Sequence, residues 1–216
     1  MTVIPTINCP DWECLDGKLR IANEHLRAAG WLHLDIADGR FTFGKSWSDP
    51  AAWARHNKHF QTEVHLMVEE PEKAAEEWLK AGAKRLIIHL ESMRAPDVSI
   101  PHILLLCQAH GAQLMLAINA ETPIETLEPY LRKTSYFQIF AQAYPGPPGQ
   151  KFLPAVLPKI RRLRALAPDA TIEVDGGMEP STIRQVKEAG ADTVISGSYI
   201  LNNPDPAAAY AELTAI

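Results

Sequence analysis

Cysteine is scarce in this chain of 216 residues. The three cysteines, Cys9, Cys14 and Cys107, are odd in number and lack the spacing of a metal-binding motif. No signal peptide is recognisable before the apolar segment that begins near Val3. Because disulfides are rare in reducing compartments, these features together indicate a reducing cytoplasm.

Long apolar runs and an excess of basic residues are also missing. No apolar segment approaches the roughly 20 residues that a membrane-spanning helix needs, so no membrane partner is expected. The formal net charge is -5 and the isoelectric point is about 5.9, without a run of Lys and Arg. Such a charge balance argues against nucleic acid as a partner.

One kind of junction between a helix-like and a strand-like segment recurs along the chain. A helix-like segment that ends in Ala and Gly leads directly into an apolar, strand-like segment at residues 27–34, 80–89, 109–118 and 188–196. Gly just beyond a helix accepts the left-handed conformation that ends it. Strands that alternate with helices in this way indicate a parallel sheet.

The number of these units predicts the fold. The dinucleotide-binding pattern Gly-x-Gly-x-x-Gly is absent after the first strand, which disfavours an open doubly wound sheet. Eight strand–helix units in a chain of this length fit a closed TIM (β/α)8 barrel, formed as a single domain by residues 1–216. The predicted strands are residues 3–8, 32–37, 63–68, 86–91, 113–119, 137–143, 171–175 and 193–196. The predicted helices are about 12–28, 49–59, 71–81, 99–109, 122–131, 155–166, 180–189 and 206–214.

Four metal-capable side chains fall near the carboxyl ends of three predicted strands. His33 and Asp35 are two residues apart in one strand and therefore share a face. His65 and Asp175 occupy the same part of two later strands. Barrel enzymes carry their chemistry at this end, so the four side chains are candidates for binding one divalent cation.

Several motifs, in order along the chain, resemble the ribulose-phosphate 3-epimerase family. They are His33-Leu-Asp-Ile-Ala-Asp-Gly39, Val64-His-Leu-Met-Val68, Asn119-Ala-Glu-Thr-Pro123, Pro145-Gly-Pro-Pro-Gly-Gln-Lys-Phe152, Glu173-Val-Asp-Gly-Gly177 and Gly197-Ser198. The resemblance implies a TIM-type barrel and a divalent metal held by His33, Asp35, His65 and Asp175. It also implies reversible inversion at C3 of a ketopentose phosphate.

The residues fit this chemistry. Inversion next to a carbonyl removes a proton from one face and returns one to the other, so Asp35 and Asp175 are assigned as the acid/base pair. A bound metal would stabilise the enediolate oxygen, and two His with two carboxylates suit Zn, Mn, Fe(II) or Co. Backbone N–H groups at turns are expected to bind the phosphate. The residues expected to bind substrate and phosphate are Thr6, Met67, Gly146, Gly149, Gly176, Gly177, Gly197 and Ser198.

Departures from the family pattern concern the substrate. Thr6 replaces the usual Ser, and Ala37 and Ala141 replace two methionines of the metal pocket, which predicts a larger pocket. Pro148 removes an N–H from the loop that normally binds phosphate, so binding of phosphate by this Pro147-Pro148 loop is left open. The default substrate is D-ribulose 5-phosphate, and D-allulose 6-phosphate is an alternative that the smaller residues favour.

Other interpretations are left open. A decarboxylase or aldolase of the orotidine or hexulose-phosphate type is disfavoured because Ala37 stands where those enzymes need Lys. A non-catalytic phosphosugar-binding barrel is the third hypothesis. Asp38 is either a turn residue or part of the substrate shell, and His89 and Glu91 either line the pocket or form a satisfied polar layer. The apolar residues 99–107 suggest a subunit interface, and a homo-oligomer is expected.

Overall fold

The computed structural model describes residues 1–146 and 149–216. Eight parallel strands pair in sequence order, and β1 also pairs with β8, which closes the sheet into a barrel. This confirms the predicted (β/α)8 fold. The strands are β1 Thr2–Ile7, β2 Trp31–Ala37, β3 Gln61–Met67, β4 Arg85–His89, β5 Gln113–Ile118, β6 Tyr136–Phe140, β7 Thr171–Asp175 and β8 Thr193–Ser196.

Helices surround the barrel. Asp11, Asp49 and Asp205 each accept a hydrogen bond from a backbone N–H of the first turn that follows, which defines three helix starts. The α-helices are α1 Trp12–His25, α2 Pro50–His56, α3 Glu72–Lys80, α4 Pro96–Ala109, α5 Leu157–Leu166, α6 Pro180–Ala189, α7 Ser198–Leu201 and α8 Pro206–Thr214.

Alternation along the strands separates two environments. In β2, Leu32 and Leu34 belong to the main hydrophobic core, whereas His33 and Asp35 between them contact polar partners inside the barrel. The same alternation puts Val64 in that core and Glu63 and His65 inside the barrel. The large apolar core therefore lies between the sheet and the helices, and the barrel interior is free to hold charged groups.

A few element boundaries differ from the sequence prediction. The predicted helix 122–131 is a 3-10 helix, Ile124–Tyr130, which contains Pro129. A proline inside a segment removes one backbone donor, so regular α-helical bonding is interrupted. Strand β4 ends at His89, and Glu91 lies in the 3-10 turn Leu90–Ser92 instead of the strand.

The cysteines behave differently from the expectation of a reducing compartment. Cys9 and Cys14 form a disulfide that links the end of β1 to the first turn of α1. Cys107 is a buried free thiol, and burial raises its pKa to about 12. The sequence did not predict this disulfide, because the number of cysteines does not show which two of them lie close together in the fold.

Among the described residues, no helix is both long and apolar enough to cross a membrane. Val98 and Leu105 of α4 are large apolar side chains that are exposed to solvent. The homo-oligomer that residues 99–107 suggested stays a prediction, as does the single domain spanning residues 1–216.

Candidate active site

The four side chains singled out from the sequence meet at the carboxyl end of the barrel. One ligand atom from each of them lies within 4.8 Å of every other. They come from β2, β3 and β7, and all four residues are buried. We call this group the mouth cluster; its members are His33, Asp35, His65 and Asp175.

The nitrogen and oxygen atoms of the mouth cluster face one another. Asp35 Oδ1 lies 3.2 Å from both His33 Nε2 and His65 Nδ1, and Asp175 Oδ2 lies 3.3 Å from His65 Nδ1. His65 Nδ1 is buried, yet it has no hydrogen-bond partner of suitable geometry among the described residues. Buried polar atoms are nearly always satisfied, so this one requires an explanation. Imidazole nitrogens and carboxylate oxygens that lie this close together are the donor set of a divalent cation site, and the residues fit a metal ion.

Contacts between the members of the mouth cluster decide the direction in which their pKa values shift. Burial opposes the charge on Asp35, but its contacts with His33 and His65 outweigh burial and lower its pKa. Burial likewise opposes protonation of the two histidines, while the neighbouring carboxylates raise the pKa of each. Asp35 is therefore held ionised. Thr6 Oγ1 donates a hydrogen bond of 3.1 Å to its other oxygen.

A second polar layer lies deeper inside the barrel, and the sequence reading missed it. We call it the floor layer; its members are Glu63, Arg85, Gln138 and Glu173. Arg85 Nη1 donates to Glu63 Oε2 at 2.6 Å and lies 3.8 Å from Glu173 Oε2. Its guanidinium also packs on the rings of Trp31 and Tyr136, at 4.9 and 5.1 Å from their centroids. A signal for this layer existed, because Glu63 and Glu173 stand two residues before His65 and Asp175 on the same strand face.

His33 connects the two layers. Its Nε2 faces Asp35 in the mouth cluster, and its Nδ1 lies 2.8 Å from Glu63 Oε1 in the floor layer. A carboxylate on Nδ1 keeps a proton on that nitrogen and leaves the Nε2 lone pair for the mouth cluster. The floor layer thereby sets the orientation of one side chain of the site above it.

A cavity of about 840 Å³ opens above the mouth cluster. Asp35 and Asp175 lie at the bottom of this cavity. Its walls include all eight residues that were expected to bind substrate and phosphate: Thr6, Met67, Gly146, Gly149, Gly176, Gly177, Gly197 and Ser198. The structure thus brings the predicted residues together, while their roles stay predictions. Pro147 and Pro148, on which the question about the phosphate loop rested, lie outside the described residues.

Two glycines after β7 fit their positions for steric reasons. Gly176 and Gly177 have φ angles of 114° and 70°, a region that side chains disfavour. A Cβ on Gly176 would lie 2.5 Å from Gln142 Cγ, and one on Gly177 would lie 2.4 Å from the backbone nitrogen of Phe152. The backbone of this turn therefore lines the cavity directly and is packed against the loop that follows β6.

Comparison with known proteins identifies the family. A family described as the ribulose-phosphate 3 epimerase family matches residues 3–201. The chain is 36% identical over 221 residues to a ribulose-phosphate 3-epimerase of Synechocystis, with 98% of this chain and 92% of that protein covered. It is 33% identical to one of Mycobacterium tuberculosis, with 98% and 90% covered. The chain belongs to the ribulose-phosphate 3-epimerase family.

Other matches agree with this family and with the fold. A ribulose-phosphate 3-epimerase of Oryza sativa, named as a cytoplasmic isoform, is 33% identical over 182 residues, covering 82% of this chain and 78% of that protein. A crystal structure of a 3-hexulose-6-phosphate synthase superposes with a TM-score of 0.73 at 20% identity, over 100% of this chain and 99% of that one. At that identity the likeness shows the fold alone. The predicted resemblance and the prediction of an isomerase of this family are confirmed.

One departure from the family pattern needs correction. Ala141 does not line the cavity; its backbone N–H donates to Asp175 O, and its side chain belongs to the hydrophobic core outside the barrel. The adjacent Phe140 faces inward, lines the cavity and packs near the rings of His65 and His89. The space that a smaller residue 141 was expected to open is therefore partly occupied by an aromatic ring.

The remaining open interpretations can be compared with the geometry. Asp38 accepts hydrogen bonds from the backbone N–H groups of Arg40, Phe41 and Glu69, which matches the turn interpretation. His89 is fully buried against the mouth cluster. Lys18, which sequence reasoning missed, lines the cavity and donates to Asn8 O at 3.0 Å. A helical Lys has no distinguishing pattern, and only the fold shows that α1 brings it to the rim.

Proposed function

We propose that the chain is a metal-dependent epimerase that inverts C3 of a ketose phosphate and interconverts D-ribulose 5-phosphate and D-xylulose 5-phosphate. The observation that carries the proposal is the position of two carboxylates. Asp35 and Asp175 come from β2 and β7, on different sides of the barrel, and both lie at the bottom of one cavity. Family membership supports the same reaction, since the named relatives are ribulose-phosphate 3-epimerases.

Asp35 and Asp175 act as the acid/base pair. One carboxylate takes the proton from C3 and the electron pair of that bond moves toward the C2 carbonyl, which gives an enediolate. The other, protonated carboxyl group then returns a proton to the opposite face of C3. We assign Asp35 as the base in one direction because its contacts with His33 and His65 lower its pKa and hold it ionised.

His33 Nε2, His65 Nδ1 and the carboxylates of Asp35 and Asp175 would hold one divalent cation. The buried, unpartnered His65 Nδ1 supports this donor set. Zn, Mn, Fe(II) and Co all accept such ligands. When bound, the ion supplies Lewis-acid stabilisation of the negative charge that develops next to C3.

The glycine turns after β7 and β8 bind the phosphate. Gly176, Gly177, Gly197 and Ser198 present backbone to the cavity, and N–H groups at a helix start have no partner within the helix. Gly146 and Gly149 extend this wall from the loop after β6. Thr6 and Met67 contact the sugar from the opposite side, next to the mouth cluster.

Two other functions are weighed against this one. An epimerase of a larger phosphosugar, such as D-allulose 6-phosphate, is supported by the cavity volume, whereas the inward ring of Phe140 opposes it and Ala37 is not among the residues that line the cavity. A non-catalytic phosphosugar-binding barrel would not need both carboxylates, and their common approach to His65 Nδ1 argues against it. An aldolase-type barrel would need a Lys where Ala37 stands.

We further propose that the enzyme works in the cytoplasm as a homo-oligomer. The name of the Oryza relative and the exposed Val98 and Leu105 on α4 support these two points. The Cys9–Cys14 disulfide argues against a cytoplasmic location, because disulfides are rare in reducing compartments.

The test is incorporation of solvent deuterium at C3 of D-ribulose 5-phosphate, followed by NMR with metal-loaded protein. Wild type is expected to exchange the proton and form xylulose 5-phosphate. Asp175→Asn is expected to lose about 10²- to 10⁴-fold in rate, because an amide cannot transfer the proton. The matched control is Asp169→Asn, which removes the same charge from an exposed position.

Each result decides between the functions. Exchange with D-allulose 6-phosphate, but not with the pentose phosphate, overturns the pentose assignment. Exchange that survives in Asp175→Asn overturns the acid/base assignment. Phosphosugar binding without exchange or bound metal favours the non-catalytic barrel.

A further inference from the structure

A chain of polar contacts leaves the mouth cluster through its central histidine. His65 Nε2, the nitrogen that faces away from Asp35 and Asp175, lies 2.8 Å from His89 Nε2. His89 Nδ1 in turn lies 3.4 Å from Glu91 Oε2. The two imidazole planes are nearly parallel, at 13°, with ring centroids 4.9 Å apart. His65 of β3, His89 of β4 and Glu91 of the turn after β4 therefore form one continuous line of polar contacts.

The number of protons on the two imidazoles fixes the direction in which hydrogen bonds are donated along this line. A neutral imidazole carries one N–H, and its other nitrogen accepts. If His65 Nδ1 offers its lone pair to a metal, His65 must carry its proton on Nε2 and donate to His89 Nε2. His89 must then carry its own proton on Nδ1, the nitrogen that faces the Glu91 carboxylate.

The far end of the line is anchored. Glu91 Oε1 accepts hydrogen bonds from the backbone N–H of Asn119, at 2.8 Å, and from the hydroxyl of Thr122. Burial alone would raise the pKa of Glu91, but the contacts with His89, Thr122 and Asn119 lower it to about 2. Glu91 is therefore an ionised acceptor at every pH of interest, and its position is fixed by the loop after β5.

His89 is held as firmly. It is fully buried, and its ring centroid lies 5.3 Å from that of Phe41 and 5.8 Å from that of Phe140. Aromatic walls leave the ring little freedom to turn. With no solvent to supply an alternative partner, its two nitrogens depend on His65 and Glu91.

We propose that His89 and Glu91 are positioning residues that fix the tautomer and the ring orientation of His65, so that its Nδ1 lone pair faces the metal. The inference rests on the metal site of the proposed function. A group that accepts the second ring N–H of a metal-ligating histidine fixes the tautomer and the ring orientation and raises the basicity of the ligand, and here that group is His89, which Glu91 holds in turn. The metal affinity of the mouth cluster should therefore depend on two residues that do not contact the ion.

The first test reads the tautomer directly and needs neither metal nor substrate. Long-range ¹H–¹⁵N NMR of the metal-free wild-type protein distinguishes the two nitrogens of each histidine, and His65→Gln and His89→Gln assign the signals. We expect a proton on Nε2 of His65 and on Nδ1 of His89. A proton on Nε2 of His89 would overturn the inference, even if the protein binds metal and is active.

The second test measures the affinity for Co²⁺ by titration of its visible absorption. Glu91→Gln is expected to weaken binding by about 10- to 100-fold, which is typical for the loss of such a partner. The matched control is Glu121→Gln, which removes a charge from an exposed position of the neighbouring loop and should bind as wild type does. Equal affinity in Glu91→Gln and Glu121→Gln would contradict the proposal.

A pair of substitutions at position 89 separates positioning from packing. In His89→Gln, the amide oxygen can accept from His65 Nε2–H and the amide N–H can donate to Glu91, whereas His89→Met fills the space without either contact. We expect His89→Gln to retain more Co²⁺ affinity than His89→Met. If both variants lose stability without metal but keep the wild-type affinity, the two residues only pack. If wild type binds no Co²⁺, the proposed metal site itself fails, and the tautomer measurement then shows whether the line exists without it.

Discussion

Two polar layers share the interior of this barrel, and they satisfy their charges in opposite ways. In the floor layer, a cation is built into the protein, because Arg85 lies against Glu63 and within 3.8 Å of Glu173. In the mouth cluster, no Lys or Arg is in contact, and two carboxylates share histidine nitrogens as their only close charged partners among the described residues. The floor layer contains its own cation, whereas the mouth cluster has none among the described residues and its donor atoms fit a cation from outside.

The difference shows why an acidic cluster alone is weak evidence for a metal site. His33, Glu63 and Glu173 also place ligand atoms within 4.8 Å of one another. Arg85 already compensates that group, and Gln138 Nε2 donates to Glu173 Oε1 at 3.0 Å. A second cation there would have to compete with a buried guanidinium. Of the two groups, the mouth cluster is the one that opens onto a cavity large enough for a phosphosugar.

The largest effect should come from removing the internal cation of the floor layer. Arg85→Met keeps most of the packing on Trp31 and Tyr136 but leaves a buried carboxylate without its partner. Breaking a buried ion pair typically costs about 3–5 kcal/mol, so we expect a loss of this size in the free energy of unfolding. Chemical denaturation measures it, and the activity of the molecules that remain folded should stay close to that of wild type.

The matched rescue for this prediction is Arg85→Met combined with Glu63→Gln. The amide oxygen that Glu63→Gln introduces can still accept a hydrogen bond from His33 Nδ1–H, while the stranded charge is gone. We expect the double variant to recover part of the lost stability. A single variant as stable as wild type would mean that Arg85 does not compensate the floor layer.

A smaller effect, confined to the mouth cluster, should follow from metal removal. A ligand that binds only the folded state stabilises it by about 2.7 kcal/mol at 100 times its Kd. We therefore expect chelation to lower the melting temperature of wild type and added divalent metal to restore it. In Glu173→Gln, the metal-induced increase should be unchanged, because Glu173 belongs to the floor layer. An increase that disappears in Glu173→Gln would place the ion in the floor layer and reverse the comparison between the two layers.

Sequence patterns predicted the mouth cluster better than the floor layer for a physical reason. The strand bounds of β7 and β8 were predicted to the residue, because turn signals flank these two short apolar runs. His33, Asp35, His65 and Asp175 stood out because their residue types suit a metal and their strand positions coincide. Glu63 and Glu173 share faces with two of these residues, but an isolated Glu in a strand predicts nothing until its partner is known.

Contacts between distant parts of the chain account for most of what the sequence could not show. Arg85 pairs with Glu63 because β3 and β4 are neighbours in register, and with Glu173 only because the barrel is closed and narrow. The inward direction of Phe140 depends on where β6 ends, which no local pattern fixes. The Cys9–Cys14 disulfide likewise depends on the turn that brings β1 back to α1.

The smallest effect expected is that of Glu173→Gln at about pH 4, and it separates the two carboxylates of the floor layer. Burial, together with the nearby charge of Glu63, raises the pKa of Glu173 to about 8 against the opposing effects of His33 and Arg85. At about pH 4, below the ordinary value of 4.5 for a Glu side chain, Glu173 is protonated in the folded protein and largely protonated in the unfolded one, and its amide analogue has the same shape and charge. We expect a change in the free energy of unfolding below about 1.5 kcal/mol, as for other isosteric replacements.

The pH dependence gives this last prediction its sign. An acid whose pKa is higher in the folded state binds its proton more tightly there, so its contribution to stability is complete below the unfolded-state pKa and is lost as pH rises through the folded-state value. Wild type should therefore lose stability relative to Glu173→Gln between about pH 5 and pH 9, by up to about 1.4 kcal/mol for each unit of the pKa shift. Urea denaturation of both proteins, freed of metal by chelation, measures the difference. Parallel stability curves would mean that Glu173 is ionised in the folded protein, and Arg85 would then compensate two charges instead of one.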